Sequence, residues 1–252
     1  MSANLKIALI TGAGSGIGRS AALALQKTGH TVVLAGRNID TLNETRDLGL
    51  ESGPQMLPVP TDIGMKSEID SLFNQIQTNF GRLDLLFNNA GIGTPSVPTE
   101  EVSLQDWNTC VNVNLTGAFL CSREAIRMMK TQSPKGGRII NNGSVSAHVP
   151  RPHSAAYTAT KHGMTGLTKS IALDGRQHDI ACSQIDIGNA DTPLAAQMKT
   201  GMLQPNGEVC PEPVIDVHHC GETIAYIANL PLDTNVVFMT LMATKMPYVG
   251  RG

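Results

Sequence analysis

A chain of 252 residues with 41% apolar and 16% charged side chains can bury a sizeable core, and it is too apolar and too weakly charged to be disordered. Nineteen Lys and Arg against 21 Asp and Glu leave a net charge of −2, which offers no cationic surplus for a nucleic acid or an anionic membrane surface. No run approaches the ~18 apolar residues of a membrane span, and residues 1–10 lack the pattern of a secretory leader. Five cysteines without a CxxC pair (Cys110, Cys121, Cys182, Cys210, Cys220) fit a reducing compartment, the cytoplasm, rather than a disulfide framework.

Taken in order, β-rich runs alternate with helical ones. Ile7–Ile10 reads as a buried strand, Gly16–Thr28 as a helix closed by Gly29, and Thr31–Ala35 as a second strand. A helix over Ile39–Leu48 leads to a proline-bearing strand at Met56–Thr61. Apolar residues at Ile69, Leu72, Phe73 and Ile76 give helical spacing over Lys66–Asn79, which Gly81 ends. Leu83–Phe87 is a continuous apolar strand. Ser103 with Asp106 marks the start of one long helix running to about Lys130. Gly137–Asn142, Ile180–Ile187 and Val236–Leu241 read as strands, and Ala156–Leu173 as a helix. Such alternation predicts a single α/β domain over residues 1–252, a doubly wound parallel sheet with helices on both faces. Ligands of such sheets lie beyond the carboxyl ends of the strands, so the residues just after each strand carry the candidate chemistry.

After the first strand comes Thr11-Gly12-Ala13-Gly14-Ser15-Gly16-Ile17-Gly18, spaced TGxxxGxG. Glycines there let backbone amides approach a pyrophosphate, and the helix that follows presents its positive end to that charge. The second strand ends Leu34-Ala35-Gly36-Arg37-Asn38, with no carboxylate to accept from a ribose 2′-hydroxyl. Arg37 stands where a guanidinium can pair with a 2′-phosphate, which favours NADP(H) over NAD(H); a solvated loop arginine is the plainer alternative. Asp62 can accept from an adenine amino group while Ile63 lines the ring. Asn88-Asn89-Ala90-Gly91 lets backbone lie against the cofactor, its asparagines divided between structural and cofactor-contact roles.

The fifth strand leads into Asn142-Gly143-Ser144-Val145-Ser146; thirteen residues after Ser144 comes Tyr157, and four further Lys161. Tyr157 and Lys161 share a helix face. An isolated phenol is a poor acid or base at neutral pH, with a reference pKa of about 10, and a nearby ammonium favours its phenolate. Ser144 can hydrogen-bond a substrate oxygen while Tyr157 protonates it as hydride reaches the carbon.

Together these four ordered elements resemble the classical short-chain dehydrogenase/reductase family over nearly the whole chain. The residues that carry the likeness are Thr11–Gly18, Asn88–Gly91, Asn114 within Asn112-Val113-Asn114-Leu115-Thr116-Gly117, Ser144, and Tyr157-Thr158-Ala159-Thr160-Lys161. The resemblance implies a Rossmann fold with a seven-stranded parallel sheet, a nicotinamide cofactor and an Asn-Ser-Tyr-Lys set. Asn114 would kink its helix and hold a water that relays protons through Lys161, which would also contact the nicotinamide ribose. A dimer or tetramer is implied too, built on the long helices containing Cys121 and Thr165. After the sixth strand Ile187 stands where the family has a proline, followed by Gly188; Thr192 matches the position that meets the nicotinamide carboxamide or phosphates. Met246–Gly252 also departs from the family's usual ending.

Residues 189–213 read as a substrate lid with a short helix near Leu194–Lys199. Ile92, Val145, His148, Val149, Met198 and Met202 are candidate pocket walls. Arg151 and His153 are read as solvated loop charges, with attraction of an anionic substrate as the alternative. His218-His219-Cys220 has no spaced partner pair, so no metal site is expected. The expected activity is NADP(H)-dependent interconversion of a small-molecule carbonyl and a secondary alcohol. A non-catalytic NADP-binding sensor or scaffold on the same fold is the rival from another class. The Tyr157–Lys161 spacing disfavours an enoyl reductase, and a sugar-nucleotide epimerase would need a longer C-terminal region.

Overall fold

The computed structural model describes residues 6–249. Strand β1 (Lys6–Thr11) is followed by α1 (Gly16–Lys27), β2 (His30–Gly36), α2 (Ile39–Asp47), β3 (Met56–Pro60), α3 (Lys66–Phe80) and β4 (Leu85–Asn88). Next come α4 (Leu104–Val111), α5 (Ala118–Thr131), β5 (Gly137–Asn142), α6 (Ala155–Gly175) and β6 (Ile180–Ile187). A two-residue strand pair, β7 (Met202–Leu203) and β8 (Val209–Cys210), precedes α7 (Val217–Asn229) and β9 (Phe238–Leu241).

The main sheet has seven strands in the order β3-β2-β1-β4-β5-β6-β9, and every pairing is parallel. The order reverses between β1 and β4, which leaves a crevice where ligands of such sheets bind. Each face has its own core. Ala21, Leu25, Ile224 and Ile227 of α1 and α7 pack on Ile10, Val32, Leu34 and Phe87. Leu72, Ile76, Ala125, Met129 and Ile171 of α3, α5 and α6 cover Leu9, Val33, Leu86 and Ile139 on the other face. Strands β1, β2 and β6 are buried apart from Lys6 and Gly36 at their ends, because both faces are covered.

Three departures from the sequence reading have physical causes. The long helix from Ser103 is three pieces: Ser103 caps α4 by accepting the Asp106 N–H at 3.0 Å, but Asn112–Gly117 is a π turn between α4 and α5. Helix α7, absent from the sequence reading, is capped by Asp216, whose side chain accepts the His218 N–H. Its Gly221 lies against α1, where a Cβ would come within 2.5 Å of the Ser20 carbonyl oxygen. The fourth strand starts at Leu85 rather than Leu83, because the Leu83 backbone pairs with the Gln132 side chain instead of a strand.

The last strand is placed by Arg138. Its guanidinium, 1% exposed, donates to the carbonyls of Leu230, Pro231 and Thr234 and to Asn235 Oδ1, fixing the connection from α7 to β9. Burial pulls its pKa below the usual arginine value. No helix among the described residues is long and apolar enough to cross a membrane.

Candidate active site

A cleft of about 700 Å³ opens at the carboxyl ends of β1, β4, β5 and β6 and is lined by most of the residues singled out above. On one side is the glycine turn. Gly12 and Gly16 have φ of 67° and 51°, conformations that side chains disfavour. A Cβ on Gly12 would come within 2.9 Å of the Ala90 backbone, and one on Gly18 would overlap the Gly12 carbonyl. Ser15 precedes α1, is exposed on the cleft wall and makes no side-chain capping bond. Ile17 is half-buried beside it. Arg19 secures the turn by donating to the Gly14 carbonyl at 2.6 Å and to Glu44 at 2.8 Å.

Arg37 follows β2 on the cleft rim, exposed and without a hydrogen-bond or ion-pair partner among the described residues. Ile63 and Asp62 line the next stretch of wall. Asp62 Oδ1 also accepts the Gly64 N–H at 2.8 Å, a local turn contact that leaves its other oxygen open. The two asparagines after Phe87 separate in role. Asn88 is buried and bonds Asn141 and Ser122, joining β4 to β5 and α5. Asn89 reaches the cleft and ties three strand ends together, donating to the carbonyls of Thr11 and Gly12 and accepting from Asn142. Ala90 and Gly91 run along the wall, the Ala90 N–H held by Thr11 Oγ1 at 3.0 Å.

The far wall carries the titratable set. Ser144 follows β5 and is 7% exposed. Its Oγ accepts the Ser146 N–H at 3.1 Å and donates to no acceptor among the described residues. Tyr157 and Lys161 lie in the first two turns of α6, the ammonium 5.5 Å from the phenol ring centre. Lys161 is 5% exposed and donates to the Asn142 carbonyl at 2.7 Å. His153, ahead of the helix, lines the cleft with φ of 58°, a sparsely populated conformation for a residue with a Cβ.

Asn114 sits inside the π turn and does not line the cleft. Its side chain pairs with both backbone groups of Ile92, at 2.8 and 2.9 Å, and also meets Cys110 and Thr160. It thereby fixes the loop beyond Gly91. Burial raises the Cys110 thiol pKa, opposed by the Thr160 hydrogen bond and the charge of Lys161.

Ile187 at the end of β6, and Gly188 and Thr192 beyond it, line the cleft. The Gly188 N–H bonds Leu241, and a Cβ there would press on Met242 and Met246. Thr192 caps the 3₁₀ turn Pro193–Lys199, which carries the cleft-lining Leu194 and Met198. Gly250–Gly252, within the unusual ending, fall outside the described residues.

Some expected walls move. Ile92, Val145, Met198 and Met202 line the cleft, but His148 and Val149 do not, because the chain turns away after the 3₁₀ turn Val145–Ala147. Arg151 is not a solvated charge: it forms a two-pronged ion pair with buried Glu212 and donates to Asn189 at 3.0 Å. Burial alone would raise the Glu212 pKa, but hydrogen bonds from Arg151, Gln204 and Asn189 outweigh it and hold the carboxyl below its usual range. In α7, Cys220 is fully buried, its thiol pushed up to about 12 by desolvation, while His218 and His219 point outward to Glu222.

This geometry has counterparts. Residues 6–202 match the family model described as short chain dehydrogenase. A 3beta-hydroxysteroid dehydrogenase of Mediterraneibacter gnavus is 39% identical over 203 residues, covering 79% of this chain and 72% of that protein. A cyclohexanol dehydrogenase of Acinetobacter sp. is 33% identical over 218 residues, covering 85% and 86%. Among solved structures, an actinorhodin polyketide ketoreductase variant with NADPH superposes with a TM-score of 0.87 at 26% identity, covering 98% of this chain and all of that one. A 3-ketoacyl-(acyl-carrier-protein) reductase from Brucella melitensis complexed with NADH gives 0.84 at 27% identity, covering 95% and 98%. The chain belongs to the short-chain dehydrogenase family and is an oxidoreductase of that type.

Proposed function

We propose that the protein is an NADP(H)-dependent oxidoreductase that interconverts a carbonyl and a secondary alcohol, with Tyr157 as acid and base. The observation that carries this reading is the Lys161 ammonium 5.5 Å from the Tyr157 ring, in one cleft with Ser144 and the glycine turn.

The cleft fits a dinucleotide. Ser15 and Arg37 line it exposed and without side-chain partners among the described residues, donors suited to phosphate groups. Side chains at Gly12 or Gly16 would crowd the turn. The backbone of Gly12, Gly16 and Gly18, with Ser15 and Ile17, would hold the pyrophosphate at the start of α1. Arg37 would pair with a 2′-phosphate, Asp62 and Ile63 with adenine, and Asn89, Ala90 and Gly91 with the neighbouring ribose. Tyr157, Lys161, Ile187, Gly188 and Thr192 would surround the nicotinamide end. When bound, the nicotinamide supplies hydride in reduction and accepts it in oxidation.

The chain's own residues handle the proton. Ser144, its hydroxyl hydrogen uncommitted, donates to the substrate oxygen and orients it. Tyr157 gives that oxygen its proton in reduction and takes one in oxidation. Lys161 stabilises the phenolate that is left, a preorganised charge in a partly dry site. Asn114 holds the Ile92 loop in place, and the π turn around it would seat the water that relays protons through Lys161.

The substrate half of the cleft, walled by Ile92, Val145, Leu194, Met198 and Met202, suits a neutral, largely apolar carbonyl compound. With Arg151 neutralised by Glu212, little remains there to select an anion. The ring alcohols in the names of the two relatives point the same way. Exposed Leu104, Trp107 and Phe119 on α4 and α5 support assembly as a dimer or tetramer. The buried free thiols fit a reducing, cytoplasmic setting.

The test is a screen for NADPH oxidation over cyclic ketones, ketosteroids, aldehydes, quinones and keto acids, with Tyr157→Phe as control. Cyclic ketones should be turned over and the variant should fall by at least about 10²-fold. Equal turnover by the variant overturns the assignment.

A further inference from the structure

Asp186 lies near the end of β6, 1% exposed, behind the cleft rather than in its wall. Its carboxylate nonetheless grips the segment that carries Ser144. Oδ1 accepts the Ser144 N–H at 3.0 Å and Gln184 Nε2 at 2.7 Å, and Oδ2 takes His148 Nε2 at 2.8 Å. An ionised carboxylate only accepts, so the His148 proton on this contact sits on Nε2. Three donors replace the water such a buried group would otherwise require.

The neighbouring backbone is shaped for this carboxylate. A Cβ on Gly143 would overlap Asp186 Oδ1, so a side chain at 143 and the carboxylate at 186 compete for one space. The turn is pinned from both ends: Asn142 O accepts from Lys161, and Ser144 N donates to Asp186. Gln184 extends the contact into α6 by donating to Thr165 Oγ1 and accepting from Thr168 Oγ1, each at 3.0 Å. One buried chain of hydrogen bonds therefore joins the backbone of Ser144 to the helix that bears Tyr157 and Lys161.

We infer that Asp186 is a positioning residue for Ser144: it sets the direction of the serine hydroxyl relative to Tyr157, with Gly143 providing the space and His148 holding the carboxylate from outside. Its catalytic consequence rests on the reductase reading given above. The carboxylate touches neither substrate nor cofactor, so its effect must appear through Ser144 and not through cofactor affinity.

Amide hydrogen exchange over residues 142–148, read on the full chain with and without NADPH, tests the placement directly. Asp186→Ala should speed exchange at the Ser144 amide at least about tenfold, since its acceptor is lost. Steady-state kinetics should show kcat lower by about 10–100-fold with the NADPH Kd within about threefold, the effect of a displaced group rather than lost binding. Asp186→Asn keeps an oxygen for the Ser144 amide and should restore both protection and most of kcat. In a Ser144→Ala background, Asp186→Ala should cost less than about threefold more, because the two residues act as a unit. Unchanged protection in Asp186→Ala, or a kcat loss that adds in full to that of Ser144→Ala, overturns the inference. Exchange needs no substrate, so a wild-type protein that reduces no carbonyl would sink the reductase reading while the exchange result still decides the placement.

Discussion

Lys161 and Tyr157 face each other across one helical turn, ammonium 5.5 Å from ring centre, and the same ammonium donates to Asn142 at 2.7 Å. Lys161 is thus held by the end of β5 rather than by the phenol, and the distance between charge and ring is set by the sheet. Lys161→Met should lower kcat by about 10²–10⁴-fold, the range for loss of acid–base assistance, while leaving the fold intact. Steady-state kinetics with a responsive ketone and circular dichroism check this together.

Arg37 should discriminate between cofactors. It is exposed on the cleft rim with no protein partner among the described residues, so its replacement disturbs no internal contact. Arg37→Ala should weaken NADPH binding by about tenfold, the low end for a charge-assisted hydrogen bond at a wet site, and leave NADH unchanged. Fluorescence titration measures both. Equal losses for the two cofactors would remove the 2′-phosphate from the argument.

Glu212 ties residues 189–213 to the loop before Tyr157 through Arg151 and Asn189. Glu212→Gln should destabilise this region by about 2–3 kcal/mol, the scale of hydrogen bonds to charged groups. Its carboxyl is held below the usual range in the folded protein. The stabilisation is therefore complete above the unfolded value near 4.5 and is lost as pH falls through the lower folded value. Limited proteolysis of residues 189–213 should accelerate on that acid limb, and Glu212→Gln should cleave fast at every pH.

His30 gives a pH effect of different origin. It is 1% exposed, and burial, aided by the charge of Lys6, lowers its pKa from 6.5. Below about 6.5 the unfolded chain binds a proton that the folded chain resists, so stability falls as pH drops from there toward the lower folded value. Thermal melts between pH 7.5 and 5.5 should show this loss, and His30→Gln should flatten it.

The sequence exposed the main frame because a parallel sheet buries its strands on both faces: Gly137–Asn142 and Ile180–Ile187 were readable to the residue. Gly12, Arg37 and Ser144, read from strand ends, and Tyr157 and Lys161, read from a shared helix face, all line one cleft. Helix α7 was missed although Cys220, Ile224 and Ile227 mark a helical stripe and Asp216 a cap; Gly221 weakens the local signal, and its reason lies on α1. Asp186 was invisible because a carboxylate inside a strand is justified only by Gly143, Ser144 and His148, which reach it from distant positions. Arg151 looked like a surface charge because its partner Glu212 lies 61 residues away.

The π turn at Asn112–Gly117 holds one residue more than regular α-helix can place there. Deleting a residue at that point would give an uninterrupted helix with better backbone geometry. It would also rotate all that precedes the cut by about 100° against all that follows, taking Asn114 off Ile92 or α5 off the sheet. Chain length in this stretch is therefore constrained by the loop it holds and not by the helix itself, so single-residue deletions should be far less tolerated here than in the exposed residues 205–208 between β7 and β8.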